Sequence, residues 1–196
     1  MEKMLDKTDL ELIRKRLEAQ DVQRGKVITI SNEIIKISKT IIYSLHRNDV
    51  KSAQKAIKDI RGLRSQMEAY VKNHPKLNHA GSYKVAEQEF VEALAFYGIV
   101  VDKYVPSSKD LKVDDEFYLL GLMDLTGELV RKAINASIKG EYHESLMLKD
   151  AVSEVYDELM RFEFGNTELR KRFDGIKYDL KKLEDLALNL KLSNKI

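Results

Sequence analysis

Val27-Ile-Thr-Ile-Ser-Asn-Glu-Ile-Ile-Lys-Ile-Ser-Lys-Thr-Ile-Ile42 is rich in β-branched residues, and its composition alone would suit a strand. Its spacing decides otherwise. Ile30, Ile34, Ile37, Ile41 and Leu45 recur every three or four positions, which is the period of a helix, with Ile28, Ile35 and Ile42 widening the stripe. So wide an apolar face should meet more than one neighbour. The spacing therefore predicts a long first helix from about Asp9 to His46.

The same period continues on both sides of the sparse prolines and glycines. Asn48 and Asp49 can cap a second helix that reaches about Asn73 and is stopped by Pro75. Gly81-Ser82 opens a third, expected to run to about Tyr104 before Pro106. Asp114-Asp115-Glu116 sets negative charge on the first turn of a fourth, and Gly140 stands where a C-terminal glycine is expected. A fifth covers roughly Glu141 to Phe162. A sixth starts after Asn166-Thr167 and carries Leu169, Phe173, Ile176, Leu180, Leu183, Ala187 and Leu190 as a heptad seam, the pattern of a helix laid along another. The linkers Lys76 to Ala80 and Ser107 to Val113 are too brief to separate domains. The reading is all-α: one domain over residues 1–196, a bundle of antiparallel helices.

Composition bounds the function. Of the 196 residues, 34 are Lys or Arg and 32 Asp or Glu, so any nucleic-acid site must be a local patch rather than a basic coat. The longest uncharged apolar stretch, Ala93 to Val101, falls far short of the roughly 20 residues a membrane span needs. Met1-Glu2-Lys3-Met4-Leu5-Asp6 has no apolar run behind a basic start, so no secretory signal is expected. The chain has no cysteine, which excludes disulfides, thiolate metal sites and cysteine nucleophiles, and a cytoplasmic location is expected.

Two places break the helical pattern. On the third helix one face reads Val85, Glu89, Glu92, Phe96, Ile99, an apolar stripe interrupted by two carboxylates. On the fourth, Asp124 and Glu128 are four apart and therefore neighbours, in line with Phe117 and Leu120. If the two helices pack antiparallel, the pairs converge, and four carboxylates select a hard cation such as Mg²⁺, Mn²⁺ or Ca²⁺. The alternative is that the acids are solvated, or paired with Arg131 and Lys132. A di-iron centre would need Glu-x-x-His pairs, and there are none; His46, His74, His79 and His143 fall near helix ends or loops and read as ordinary exposed histidines. No phosphate loop, serine-hydrolase elbow or His-Glu-x-x-His motif is present.

Basic residues cluster at Lys51, Lys55, Lys58, Arg61 and Arg64, at Arg170-Lys171-Arg172, and at Lys177, Lys181 and Lys182. Each cluster alone reads as a solvated face balanced by Asp59, Glu68, Asp174 or Asp179; if they line one surface they bind phosphates. Candidate nucleic-acid contacts are Lys58, Arg61, Arg64, Arg170 and Lys177.

The residues also resemble a known family. Asn166-Thr-Glu-Leu-Arg-Lys-Arg-Phe-Asp-Gly-Ile-Lys-Tyr-Asp-Leu-Lys-Lys-Leu-Glu-Asp185 resembles the C-terminal helix of translin. Leu120-Gly-Leu-Met-Asp-Leu-Thr-Gly-Glu-Leu-Val-Arg-Lys-Ala-Ile-Asn135 and Gln88-Glu-Phe-Val-Glu-Ala93 resemble translin-associated factor X, or Trax. Ser38-Lys-Thr-Ile-Ile-Tyr-Ser-Leu-His-Arg47 looks like the end of the first Trax helix. The resemblance implies a translin-like bundle of about six or seven helices, closed octameric shells, binding of single-stranded DNA and RNA, and Mg²⁺-dependent endoribonuclease activity. It places the catalytic, metal-holding acids at Glu89 and Glu92 of the Gln-Glu-x-x-Glu-Ala motif and at Asp124 and Glu128 of the Asp-Leu-Thr-Gly-Glu motif. Mg²⁺ or Mn²⁺ held there would polarise a phosphodiester oxygen and activate a water. Trax-like acids and a translin-like last helix in one chain imply a homo-oligomer. Tyr83-Lys-Val-Ala-Glu-Gln-Glu89 replaces translin's basic, histidine-rich segment, so translin's RNA contacts are not carried over. The alternatives from other classes are a non-catalytic DNA/RNA-binding protein of the translin type and a helical scaffold whose acids hold a structural cation.

Overall fold

The computed structural model describes residues 5–165 and 167–196; Met1 to Met4, Asn166 and the side chain of His79 lie outside the described residues. The architecture is all-α. Helix α1 spans Lys7–His46, α2 Val50–Lys72, α3 Gly81–Tyr97, the single-turn α4 Ser108–Leu111, α5 Asp115–Ile138, α6 Tyr142–Leu159 and α7 Glu168–Leu192, with a 3₁₀ turn at Pro75–His79 and a π turn at Gly98–Asp102. The helical reading of Val27 to Ile42 is borne out, and no described helix is long and apolar enough to cross a membrane.

Helix α1 starts where the Asp6 carboxylate accepts the backbone N–H groups of Thr8 and Asp9, at 2.9 and 3.2 Å. Its first turns stand clear of the bundle: Lys7 to Lys26 are exposed apart from half-buried Gln23. From Val27 the helix enters the core along Val27, Ser31, Ile34, Ser38, Ile41 and Leu45, alternating steps of four and three. Two serines in that seam let neighbouring helices approach closely. Ile28, expected to widen the apolar stripe, faces solvent, and Ile42 is buried.

Helix α2 folds back antiparallel, with Ser31 against Met67 and Lys26 over the ring of Tyr70. Its buried row is Ala53, Ala56, Ile60, Arg64, Met67 and Val71. Arg64 is thus a core residue. Its guanidinium donates to both carboxylate oxygens of fully buried Glu87, at 3.0 and 2.8 Å, and to the carbonyls of Leu111 and Lys112, at 2.8 and 2.7 Å. It also lies 4.8 Å from the centre of the Phe90 ring and pairs with Glu68 at 2.7 Å. The expectation that Arg64 meets nucleic acid is therefore corrected: its donors are committed to the interior, and exposing them would leave Glu87 a buried, unpaired charge.

Helix α3 stops at Tyr97, short of the expected Tyr104. Lys103 takes a left-handed φ of 58°, and the chain returns so closely that a Cβ on Gly98 would lie 2.1 Å from the Tyr104 carbonyl oxygen. The returning segment, expected to be a plain linker, carries α4, capped by a reciprocal Ser107–Asp110 pair. Its carbonyls reach Arg64 near the start of α3, and so α5 begins beside that start, with the Tyr83 and Phe117 rings 6.2 Å apart. Further along, Gly121 meets Val91 and Gln88. Residue numbers rise together on the two helices, so α3 and α5 run parallel, not antiparallel as their short connection predicted. Helices α5, α6 and α7 then pack on one another, burying Leu125, Leu129, Leu148, Val152, Phe173, Ile176 and Leu183 in one continuous core. The heptad seam of the last helix is seen, with Phe173, Ile176, Leu183 and Leu190 buried.

Candidate active site

The closest approach of α3 and α5 is made by Gly121. A Cβ there would lie 2.6 Å from Val91 Cβ and 2.9 Å from the Gln88 carbonyl oxygen, so only glycine lets the two backbones meet. Glu89 and Glu92 flank the contact on α3; Asp124 follows one turn later on α5, and Glu128 one turn beyond that. The parallel register sets both pairs on either side of the Gly121 contact.

Burial and neighbouring charge raise three of the four carboxyls. Burial, reinforced by the charges of Glu89, Asp124 and Glu128, pushes the Glu92 carboxyl up to about 8. The Glu89 carboxyl is raised as well, first by burial and then by Asp124 and Glu128, against an opposing pull from Lys39. Asp124 is raised by burial in spite of its hydrogen bond with Arg172. Burial is the first cause in all three, and Glu89 and Glu92 also feel the neighbouring carboxylates, whereas Asp124 feels Glu168.

The four acids are not equivalent. Asp124 accepts from the Arg172 guanidinium of α7, which also reaches Glu168 at 3.3 Å. Glu128 accepts from His46 Nε2 at 2.5 Å and lies 3.7 Å from Arg131. Among the described residues, Glu89 and Glu92 have no ion pair and no side-chain hydrogen bond. The alternative of pairing with Arg131 and Lys132 is met only by the Glu128–Arg131 contact. Lys132 is buried elsewhere, donating to the Leu45 carbonyl and to Asn48 Oδ1 and pairing with Glu144. As the side chains lie, no three His, Asp or Glu among the described residues close on a single point. The donor set nevertheless fits a hard dication: every ligand is a carboxylate oxygen, two lack a positive partner, and the other two are held by a guanidinium and an imidazole from neighbouring helices.

His46 corrects the expectation of an exposed histidine. Its side chain is 7% exposed, its ring lies 5.0 Å from Phe96, and its buried Nδ1 has no hydrogen-bond partner among the described residues. His143 is exposed, whereas His74 is half-buried with its ring 4.9 Å from Tyr70. Sequence reading placed His46 at a helix end, where it is, but had no signal that Glu128 would reach it. Arg172 was visible only as one cation of a triplet.

The remaining candidates lie apart. Lys58 and Arg61 line a hollow of about 520 Å³ with Lys51, Lys55, Gln54 and Tyr97. Arg170 and Lys177 share Asp174, at 3.2 and 4.0 Å. A cavity of about 890 Å³ is an apolar groove between α5 and α6 lined by Tyr118, Leu122, Met147, Val155 and Phe162, and none of the four acids lines it.

The described helices thus carry carboxylates on both sides of one helix contact and a basic hollow elsewhere. The Translin family model matches residues 22–194, and the chain belongs to that family. It is similar to translin of Gallus gallus, 34% identical over 102 residues, 52% of this chain and 43% of that protein, so the match spans less than half of the relative. Translin-associated protein X of Rattus norvegicus is 37% identical over 86 residues, 42% of this chain and 29% of that protein. An uncharacterized protein of Methanocaldococcus jannaschii is 28% identical over 165 residues, 81% of this chain and 72% of that one. Among solved structures, apo-NeC3PO superposes with a TM-score of 0.84 at 28% identity, covering 95% of this chain and 98% of its own. AfC3PO in complex with duplex RNA gives 0.85 at 25% identity, covering 94% and 97%.

Proposed function

We propose that this chain is a divalent-metal-dependent endoribonuclease that binds RNA and hydrolyses its phosphodiester backbone at Glu89, Glu92, Asp124 and Glu128. The observation that carries the reading is the meeting of two unpaired carboxylates on α3 with the two of α5 beside the Gly121 contact. Glu89 and Glu92 have no ion pair among the described residues, and a bound cation would offset the charge that the cluster carries. Glu89, Glu92, Asp124 and Glu128 would hold Mg²⁺ or Mn²⁺, which would supply Lewis acidity toward a phosphodiester.

The chain's own groups set up that chemistry. His46 Nε2 holds the Glu128 carboxylate from the α1 side, so that acid is oriented before substrate arrives, while Arg172 occupies Asp124 from the α7 side as the site stands without a cation. Glu92, which keeps its proton to about pH 8 without a cation beside it, is the group whose charge a bound ion controls. Lys58 and Arg61 offer phosphate contacts in an open hollow, and Arg170 and Lys177 offer them on the outer face of α7. The relative solved with duplex RNA supports RNA as the ligand. Single-stranded RNA, and single-stranded DNA as a further ligand, belong to the proposal, as do a cytoplasmic location and a homo-oligomer, an octamer by resemblance.

The test is cleavage of a labelled RNA, single-stranded and duplex, by purified protein in Mg²⁺, in Mn²⁺ and in EDTA. Cleavage in either metal that stops in EDTA and is lost in Glu92→Gln is expected. Undiminished cleavage in EDTA would overturn the reading. The second reading, a binder without catalysis, is favoured by the partners that already occupy Asp124 and Glu128; RNA binding with no cleavage in either metal would establish it.

A further inference from the structure

Arg172 stands at one end of the acidic cluster, with a charge that the proposed function leaves half explained. It rises from the second turn of α7 and reaches across to α5, where its guanidinium donates to Asp124 Oδ1 and, at 3.3 Å, to Glu168. Of the basic side chains on α7, Arg172 is the one with an ion pair to an acid of the quartet. Its side chain remains 37% exposed, and together with Lys171 and Glu168 it lines an open hollow of about 450 Å³. One end of the guanidinium therefore meets Asp124 and the other meets Glu168 at the hollow.

A dication and a guanidinium compete for the same carboxylate oxygen. With Asp124 occupied by an ion, Arg172 keeps only Glu168, which is itself 63% exposed and so holds it weakly. Its planar fork of N–H donors is then turned toward the hollow, and that fork matches the oxygens of a phosphodiester. We propose that Arg172 has two positions: it fills in for the cation on Asp124 when none is bound, and it becomes a phosphate-binding residue once the cation has taken Asp124. This rests on the reading of the quartet as a metal site. It adds that RNA affinity is coupled to metal through one side chain, because the arginine is available to phosphate only when the ion has released it. An ordinary surface contact would bind phosphate equally well in both conditions.

The experiment uses the full chain without activity as its readout. Mn²⁺ binding is measured by the loss of free-ion electron paramagnetic resonance signal for the wild type, Arg172→Gln and Arg172→Lys. Binding of a short labelled RNA is followed by stopped-flow anisotropy, before cleavage, in EDTA and in saturating Mn²⁺. Arg172→Gln should bind Mn²⁺ more tightly, on the order of tenfold, because a competing cation is gone. Its RNA affinity should fall in Mn²⁺ and stay unchanged in EDTA. Arg172→Lys keeps the charge without the fork, and should bind Mn²⁺ as the wild type does while binding RNA less well in Mn²⁺. Mn²⁺ binding by the wild type that Arg172→Gln does not tighten would overturn this inference alone, as would RNA affinity weakened equally in both conditions. If neither wild type nor variant binds Mn²⁺, the metal-site reading falls and the inference falls with it.

Discussion

Glu92 and Asp124 share one acidic cluster but should respond oppositely to losing their charge. Glu92 is buried, lies near three other carboxylates and has no ion pair among the described residues, so in EDTA at neutral pH or above Glu92→Gln should melt higher than the parent. Asp124→Asn gives up the Arg172 ion pair, a half-exposed one worth up to about 1 kcal/mol, and should melt no higher. The pH dependence has a definite sign. The folded chain holds the Glu92 proton to about 8, whereas the unfolded chain releases it near the ordinary 4.5. Between those values the folded state binds more protons, so stability falls as pH rises. Scanning calorimetry in EDTA from about pH 5 to about pH 8 should therefore show a steeper decline for the wild type than for Glu92→Gln, with Mn²⁺ removing the difference. Parallel pH curves for the two proteins would show that Glu92 is not crowded. The acids themselves were legible, because a carboxylate three or four positions from another on an apolar stripe is visible in sequence. Their partners were not: His46 is more than eighty residues from Glu128, and Arg172 looks like its neighbours in a basic triplet.

At the scale of elements, the helix contact at Gly121 decides whether the acids meet. Gly121→Ala should cost about 1–3 kcal/mol by overpacking, since its Cβ would press on Val91 and on backbone. It should also weaken Mn²⁺ binding by moving α5 away from α3. Gly127, on the same helix with nothing within 4 Å of where a Cβ would lie, is the control: Gly127→Ala should stabilise by up to about 1 kcal/mol through helix propensity. Equal effects of the two substitutions on melting temperature would mean that the contact is unimportant. Helix existence was legible from period and punctuation, as the Pro75 boundary and the α7 seam show. Helix direction was not. The parallel run of α3 and α5 depends on the chain turning back at Gly98 and Lys103, a backbone event with no hydrophobic period to announce it. Arg64 was misread for a related reason: a cation at a heptad position gives no sign in sequence of whether the facing residue is water or Glu87.

For the molecule as a whole, RNA binding should be governed by phosphate contacts and thus by salt. Affinity should fall by roughly 0.7 log unit per contact for each tenfold rise in salt, and Lys58→Ala or Arg61→Ala should each lower that slope by about one contact. Arg170→Ala and Lys177→Ala should change it less, because Asp174 already neutralises part of that face. A slope unmoved by the Lys58 and Arg61 substitutions would place the RNA elsewhere. The exposed first half of α1 bears on a different property. Lys7 to Lys26 touch little of the bundle, yet Leu10, Ile13 and Leu17 form an apolar row along it. A helix with so little support opens turn by turn, while Val27 to His46 opens only when the core does. Deuterium should therefore enter the amides of the first half within seconds in a lone chain and those of the second half over hours. Any copy that covers the Leu10 row would slow the first clock and leave the second alone. Uptake by residues 7–26, followed against protein concentration, would then read out self-association on an internal scale, with the buried half of the same helix as its reference.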